Sequence, residues 1–163
     1  MRKTNMLDKQ KVLENALSYN YVLGFGFTPD DRVALIKKER PDWQKNKVNG
    51  IGGKIEEGET PEEAMSREYY QETSVLILPE EWRMAGIMIL SDERKCYVLT
   101  ITSSKINDVC SKTDEKVSLY DAWCKLNTLS DVIPMIELCR MVKCPPFYRI
   151  PVFILDYREK KKQ

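Results

Sequence analysis

A glycine-rich stretch that runs directly into a strongly marked helix start is the feature that most restricts what this chain can fold into. It occupies residues 49–75 and reads NGIGGKIEEGETPEEAMSREYYQETSV. Thr60 is suited to cap a free amide of the first turn, Pro61 fits the first helical position, and the acidic residues that follow favour the positive end of the helix dipole. The pattern predicts a helix from Thr60 to about Thr73.

The rest of the chain shows mainly strand patterns. Tyr19–Phe27 and Val33–Lys37 are rich in β-branched and aromatic residues, and the turn signal at residues 28–31 between them predicts a hairpin. Further strands are predicted at Lys47–Ile51, Trp82–Leu90, Cys96–Ser103, Val117–Trp123 and Pro151–Leu155, with a tight connection at Ser91–Lys95. The sheet is therefore expected to be mixed or largely antiparallel.

Two other segments have a helical pattern. Ser130–Lys143 carries a broad apolar face, and Pro134 requires that this helix begin close to it. We expect the helix to pack on the core. Met6–Ser18 is predicted to form a short helix, and residues 1–17 are predicted to be an N-terminal extension of the domain. Arg158–Gln163 is expected to be a solvated basic tail rather than a nucleic-acid arm.

The charge balance argues against binding through a global electrostatic field. The 163 residues include 26 basic and 25 acidic side chains, so the formal net charge is +1 and no stable nucleic-acid partner is expected. The length suits one domain over residues 1–163. Neither a signal peptide nor a membrane-spanning stretch is recognisable, which predicts a cytoplasmic protein without a membrane partner.

The residue types that are missing restrict the chemistry further. The chain has no histidine, which excludes a Ser/His/Asp triad, a Cys/His pair and any imidazole metal site. Its five cysteines include no CxxC pair and fit neither a disulfide framework nor a thiolate zinc site. Catalysis must therefore use carboxylates, lysines, tyrosines or a metal held by oxygen.

Carboxylates are concentrated on the predicted helix. At about 100° per residue, Glu68 and Glu72 lie roughly 40° apart on one face, with Gln71 alongside. Repulsion between two solvated carboxylates at this spacing costs only about 0.2 to 0.5 kcal/mol, so the pair alone does not prove a site. Mg²⁺, however, is commonly held by one or two carboxylates together with substrate phosphates. The helix is therefore a candidate metal-binding element.

The same segment resembles the Nudix box, Gx5Ex7REUxEExGU, where U is apolar. The matching residues, at the proper spacing, are Gly53, Glu59, Arg67, Glu68, Glu72 and Val75. Tyr69 occupies an apolar position, Gln71 replaces the first glutamate of the EE pair, and Ser74 replaces the closing glycine. Gln71 adds no negative charge, so weaker metal affinity is expected, and Ser74 suggests a helix end that is not left-handed.

The resemblance implies an α/β/α sandwich with a mixed β-sheet between helices, and it implies roles for individual residues. Glu68 and Glu72 would be catalytic metal ligands, with Gln71 and Gly53 also at the metal. Arg67 would orient the carboxylates, and Glu59 would be a structural partner. Glu115, in the turn TDEK, is the candidate general base, with an ordinary turn acid as the equal alternative.

The stretch before the box, KKERPDWQKNKVNGIGGK, resembles that of small Nudix nucleoside triphosphate pyrophosphatases. Arg40, Trp43 and Lys54 would then contact phosphate and base, although Trp43 could equally be a packing residue. The resemblance implies Mg²⁺-dependent, or Mn²⁺-dependent, hydrolysis of a (deoxy)nucleoside triphosphate to monophosphate and pyrophosphate. Cleavage of a dinucleotide, nucleotide sugar or RNA cap, and a catalytically impaired nucleotide sensor, are the alternatives. A homodimer is compatible with the sequence.

Overall fold

Eight strands and two helices make up the described part of the chain. The computed structural model describes residues 20–90, 93–121, 125–143 and 153–156. The strands are β1 (Tyr21–Phe27), β2 (Arg32–Lys37), β3 (Val48–Asn49), β4 (Ile51–Lys54), β5 (Arg83–Ile89), β6 (Lys95–Thr102), β7 (Lys116–Asp121) and β8 (Phe153–Asp156). The helices are α1 (Pro61–Thr73) and α2 (Val132–Lys143), and short 3-10 turns occupy Asp42–Gln44, Pro79–Glu81 and Ser104–Asp108. The helix predicted at Met6–Ser18, the extension 1–17 and the tail Arg158–Gln163 lie outside the described residues.

Strand β1 is the centre of one mixed sheet. It runs parallel to β6 along its whole length. Its other edge is divided, because Gly26 and Phe27 pair with β2 whereas residues 21–24 pair with β4. Strand β2 continues to β3 and β7, and β6 continues to β5 and β8. The mixed sheet and the β1–β2 hairpin are therefore confirmed.

The single strand predicted at Lys47–Ile51 is wrong, because the chain forms two strands there. Strand β3 pairs with β2, whereas β4 pairs with β1, and the change of partner occurs at Gly50. A Cβ at Gly50 would lie only 3.0 Å from the carbonyl oxygen of Gly24. The sequence pattern did not reveal the break, because alternation along a strand does not specify which neighbour the strand pairs with.

The remaining predicted elements are present with small differences in their bounds. Trp82–Leu90 and Cys96–Ser103 correspond to the antiparallel strands β5 and β6, and the Leu90 amide donates to the Arg94 carbonyl oxygen at 2.8 Å across their connection. The predicted strands Val117–Trp123 and Pro151–Leu155 correspond to β7 and β8, although residues 122–124 and 151–152 lie outside the described part. The predicted helix Ser130–Lys143 begins at Val132.

The two helices cover opposite faces of the sheet and give an α/β/α sandwich, as expected. On one face, α1 packs Met65 and Tyr69 into one core cluster. On the other, α2 packs Met135 and Ile136 into a second cluster that includes Phe25. Neither helix in the described ranges is long and apolar enough to cross a membrane.

Gly24 and Gly26 of β1 lie on the face of the sheet that packs against α1, where there is no room for a side chain. A Cβ at Gly26 would lie 2.4 Å from the hydroxyl oxygen of Tyr69, and one at Gly24 would lie 2.6 Å from the sulfur of Met65. Because successive residues of a strand face opposite sides, Phe25 and Phe27 fill the core beneath α2 instead. The glycines therefore let α1 approach β1 closely.

Both ends of α1 have well-defined caps. Thr60 Oγ1 accepts from the Glu63 amide at 3.2 Å, and the Glu63 carboxylate accepts from the Thr60 amide at 2.8 Å, which confirms the predicted capping box. The expectation for Ser74 is wrong, because this residue adopts a left-handed conformation with φ of 61°. That conformation costs a non-glycine residue about 1 kcal/mol. It turns the chain so that Val75 enters the core, with its amide donating to Thr73 Oγ1 at 3.1 Å.

Candidate active site

Arg67 joins the glycine-rich loop to helix α1. Its Nε and Nη2 donate to the two carboxylate oxygens of Glu59, at 2.7 and 2.9 Å. Its Nη1 donates to Glu68 Oε1 at 2.7 Å, and Nη2 also donates to the Lys54 carbonyl oxygen at 2.8 Å. Hydrogen bonding to Glu59 raises the pKa of Arg67, and the same bonds hold the pKa of Glu59 below its ordinary value. These charge-assisted bonds fix both carboxylates relative to the loop.

Glu68 lies directly against Gly53. A Cβ at Gly53 would lie 2.3 Å from Cδ of Glu68 and 2.4 and 2.5 Å from its two oxygens. No other residue type fits at position 53 unless the Glu68 side chain moves. The Glu68 side chain is only 15% exposed, so its charge is partly removed from water and depends on Arg67 and on any bound cation for compensation.

Glu72 lies one turn further along α1. Its Oε2 accepts a hydrogen bond from Thr113 Oγ1 at 2.8 Å, and Glu72 lines a large cleft. The side chain of Gln71 is exposed next to it. All three side chains predicted as metal ligands therefore lie on one helix, which the Arg67 network attaches to the loop.

The oxygen donors of this region suit a hard divalent cation. Within the described ranges, no group of three His, Cys, Asp or Glu side chains forms a ready-made metal cage. Mg²⁺ does not require one, because it keeps several waters and shares its coordination with substrate phosphates. Glu72 and Gly53 line the cleft, and Glu68, which does not line it itself, lies directly against Gly53; the two carboxylates on successive turns fit such a partly open site.

The cleft beside Glu72 has a volume of about 990 Å³. Both Arg40 and Trp43, predicted to contact substrate, line it, and Trp43 is 64% exposed, which does not fit the alternative of a core-packing residue. Lys54 was also predicted to bind substrate, but it is not among the residues that line this cleft, and its carbonyl oxygen serves Arg67. The cationic side chains that line the cleft are Lys38, Arg40, Lys47 and Arg94.

Glu115 is a buried carboxylate with several donors around it. Its Oε2 accepts from Lys38 Nζ at 2.5 Å, and its Oε1 accepts from the amides of Glu39 and Arg40 at 2.9 and 3.4 Å. Burial by itself would raise the pKa of Glu115, but these donors outweigh it and the net pKa is lowered. Glu115 is not among the residues that line the cleft. The arrangement favours an anchor for residues 38–40 over a free base.

A family model for the NUDIX domain matches residues 21–138, which include the Arg67 network and all the residues that line the cleft. The chain belongs to the NUDIX family. It is therefore a pyrophosphohydrolase, a class that hydrolyses substrates with a nucleoside diphosphate linked to another group, and NUDIX enzymes generally use divalent metal ions. A search of curated protein sequences gave no match.

Several solved NUDIX structures share this fold at low sequence identity. A MutT/nudix family protein from Enterococcus faecalis is 14% identical with a TM-score of 0.61, and the match covers 86% of this chain and 71% of that one. The NUDIX domain of Shewanella oneidensis NrtR, complexed with ADP ribose, is 17% identical with a TM-score of 0.60, covering 76% and 87%. A MutT protein from Methanosarcina mazei is 17% identical with a TM-score of 0.56, covering 76% and 94%. At these identities the likeness shows the fold.

The structure adds functional candidates that the NUDIX box did not indicate. Thr113 contacts Glu72 from a distant loop, and Asn49, Arg94 and Asp131 line the cleft. Asn49 is the first residue of the glycine-rich stretch, and this position was its one signal in the sequence. The other three come from separate parts of the chain, so only the folded arrangement brings them to the site.

Proposed function

We propose that this NUDIX enzyme hydrolyses a (deoxy)nucleoside triphosphate to the monophosphate and pyrophosphate, with Mg²⁺ as its cation and Mn²⁺ as a substitute. The observation that supports this most is that one cleft contains Glu72, four cationic side chains and the exposed ring of Trp43. A polyphosphate requires cations beside the metal-binding carboxylates, and a base requires a flat apolar surface. The cleft offers both.

Glu68 and Glu72 are the residues that would hold the cation. Bound there, Mg²⁺ would polarise the phosphoanhydride and neutralise charge on the departing phosphate. Arg67 keeps Glu68 in place through the bond from Nη1, and Glu59 keeps Arg67 in place through two bonds. Gln71 would offer an amide oxygen without charge, so the affinity for free cation is expected to be modest.

Arg40 and the neighbouring cations would bind the phosphates, and Trp43 would stack on the base. Arg40 is held in the region by its pairing with Asp114 at 2.9 Å, yet its side chain stays largely exposed and can reorient towards a phosphate. A direct contact from Lys54 is not part of the proposal, because Lys54 is not among the residues that line the cleft. A base role for Glu115 is also left out, because its oxygens already accept hydrogen bonds.

ADP-ribose is a second candidate substrate. The NUDIX domain of Shewanella oneidensis NrtR shares the fold and was solved with ADP ribose. The cleft of about 990 Å³ is near the upper end of the range for small-molecule sites, about 300 to 1,000 Å³, so it has room for a second sugar. Both candidates contain the diphosphate that the site would hold.

A substrate panel with product analysis tests the proposal. Nucleoside triphosphates, ADP-ribose, dinucleotides and capped RNA are incubated with Mg²⁺ or Mn²⁺, and we expect the highest kcat/KM on a nucleoside triphosphate. Glu72→Gln should reduce turnover by about 100-fold or more, since it removes a charged ligand. Glu80→Gln is the control, because Glu80 is exposed and does not line the cleft. Release of inorganic phosphate rather than pyrophosphate, or no turnover of any substrate, would contradict the proposal.

A further inference from the structure

A strap formed by residues 110–115 crosses the end of helix α1. The amide of Cys110 donates to the Thr73 carbonyl oxygen at 3.1 Å, and the amide of Lys112 donates to the Glu72 carbonyl oxygen at 3.2 Å. The last carbonyl groups of a helix have no partner within the helix and need one from outside. The strap supplies these partners. The backbone of the strap is therefore fixed to Glu72 and Thr73 at the end of α1.

Thr113 connects this strap to the Glu72 side chain. Its Oγ1 donates to Glu72 Oε2 at 2.8 Å and accepts from the Glu115 amide at 3.3 Å. A carboxylate can only accept, so the hydroxyl proton must point towards Glu72. The amide on the other side holds the hydroxyl in that orientation. The Thr113 hydroxyl thereby holds Oε2 of Glu72, whereas Oε1 accepts no hydrogen bond from the described residues.

The other end of the strap is anchored in the wall of the cleft that carries Arg40. Asp114 pairs with Arg40 at 2.9 Å, and the buried Glu115 binds Lys38 and the amides of Glu39 and Arg40. Thr113 thus contacts Glu72, whereas Asp114 and Glu115 contact the loop at residues 38–40. The strap therefore sets the spacing between Glu72 and this loop.

We propose that Thr113 is a positioning residue that holds Glu72 in the rotamer needed to bind the divalent cation. The inference rests on the proposed role of Glu72 as a cation ligand. Without the hydroxyl, the Glu72 side chain is free to leave the cleft. Binding of the cation must then reorder this side chain, which lowers the affinity for the cation. Partners of this kind typically change metal affinity by about 10- to 100-fold, and we expect the lower end because Thr113 is exposed.

The test measures Mn²⁺ binding to the protein without nucleotide, by electron paramagnetic resonance of the free ion, so that it does not depend on turnover. Thr113→Val removes the hydroxyl and keeps the shape, whereas Thr113→Ser keeps the hydroxyl. We expect about tenfold weaker Mn²⁺ binding for the valine variant and near wild-type binding for the serine variant. Glu72→Gln is measured alongside as the reference for loss of the ligand itself.

The outcomes separate this inference from the proposed function. Wild-type affinity in Thr113→Val, together with weakened binding in Glu72→Gln, overturns the role of Thr113 and leaves the metal site intact. Equal weakening in the valine and serine variants also overturns it, because the hydroxyl would then not be the cause. If Glu72→Gln binds Mn²⁺ like the wild type, the metal site and the inference both fail. Melting temperatures of all variants show whether each protein is folded.

Discussion

Arg67 and Glu59 are joined by two parallel hydrogen bonds, from Nε to Oε1 and from Nη2 to Oε2. This fork requires a guanidinium, because an ammonium cannot present two donors in that geometry while a third reaches Glu68. The pair fixes Arg67, and through Arg67 it fixes Glu68 beneath Gly53.

Replacing Arg67 by lysine is therefore expected to lower kcat by about 10- to 100-fold through disorder of Glu68. Arg32→Lys is the matched control, because Arg32 makes the same two-point contact with Asp30 on the surface. Steady-state kinetics with Mg²⁺ checks the prediction. Similar losses in the two variants would contradict a specific orienting role for Arg67.

Gly53→Ala should disable the site with little loss of fold. The new Cβ would overlap the Glu68 carboxylate, so Glu68 must move and kcat/KM should fall by about 100-fold. Gly58→Ala is the control. A Cβ at Gly58 would meet nothing within 4 Å, but the backbone φ of +86° is unfavourable for alanine. That variant should lose about 1 kcal/mol of stability and keep its activity. Urea unfolding and kinetics on both variants measure the two effects; an active Gly53→Ala enzyme would refute the argument.

Gln71→Glu should tighten the binding of Mn²⁺ by about three- to tenfold, because it adds a negative charge next to Glu68 and Glu72 on α1. Tyr70→Glu adds the same charge on a different, exposed side of the helix and should change the affinity much less. The measurement is a Mn²⁺ titration without nucleotide. An unchanged affinity in Gln71→Glu would place residue 71 outside the coordination sphere.

Glu115 should make stability depend on pH. Its pKa in the folded protein lies below the ordinary value of 4.5, so its contribution is fully present above that value and is lost as the pH falls through the lowered pKa. Glu115→Gln should cost about 2 to 3 kcal/mol at neutral pH, because Lys38 loses its partner. In urea unfolding experiments below pH 4.5, the difference in the free energy of unfolding between Glu115→Gln and wild type should become smaller. A difference independent of pH, or an equal loss in the exposed control Glu57→Gln, would contradict this.

Tyr69→Phe should stabilise the protein. The Tyr69 hydroxyl is buried and has no hydrogen-bond partner in the described part of the chain, and its burial raises the pKa of the phenol. Removing the unpaired hydroxyl should gain about 1 kcal/mol in the free energy of unfolding, while the edge contact of the ring with Trp82 at 5.2 Å is kept. Tyr70→Phe, at an exposed position, should have no effect in the same urea titration. A destabilised Tyr69→Phe protein would show that the hydroxyl has a partner.

The features predicted successfully from the sequence are those set by local chemistry. The capping box of Thr60 and Glu63 and the common helix of Glu68 and Glu72 need only neighbouring residues to be recognised. The alternating and apolar runs likewise indicated a mixed sheet between helices. The NUDIX box spacing assigned Gly53 and Glu68 to the same expected metal site.

The features that were missed depend on residues far apart in the chain. The break at Gly50 arises because β3 and β4 pair with different strands, and the donors around Glu115 come from residues 38–40. Ser74 takes a left-handed conformation because Val75 must reach the core, although serine itself does not favour it. Local propensity contains no information about such partners.

The change of partner at Gly50 also separates the residues proposed to recognise the substrate from those proposed to carry out the reaction. The loop at residues 38–47, with Arg40 and Trp43, connects β2 to β3, whereas the proposed cation ligands Glu68 and Glu72 follow β4, which pairs with β1. An insertion or deletion at residues 41–47, which keeps the contacts of residues 38–40 with the strap, would be absorbed before Gly50 and would leave the register of β4 on β1 unchanged. On the proposed roles, descendants of such a chain can acquire new substrates by altering residues 41–47 while inheriting the hydrolytic centre intact.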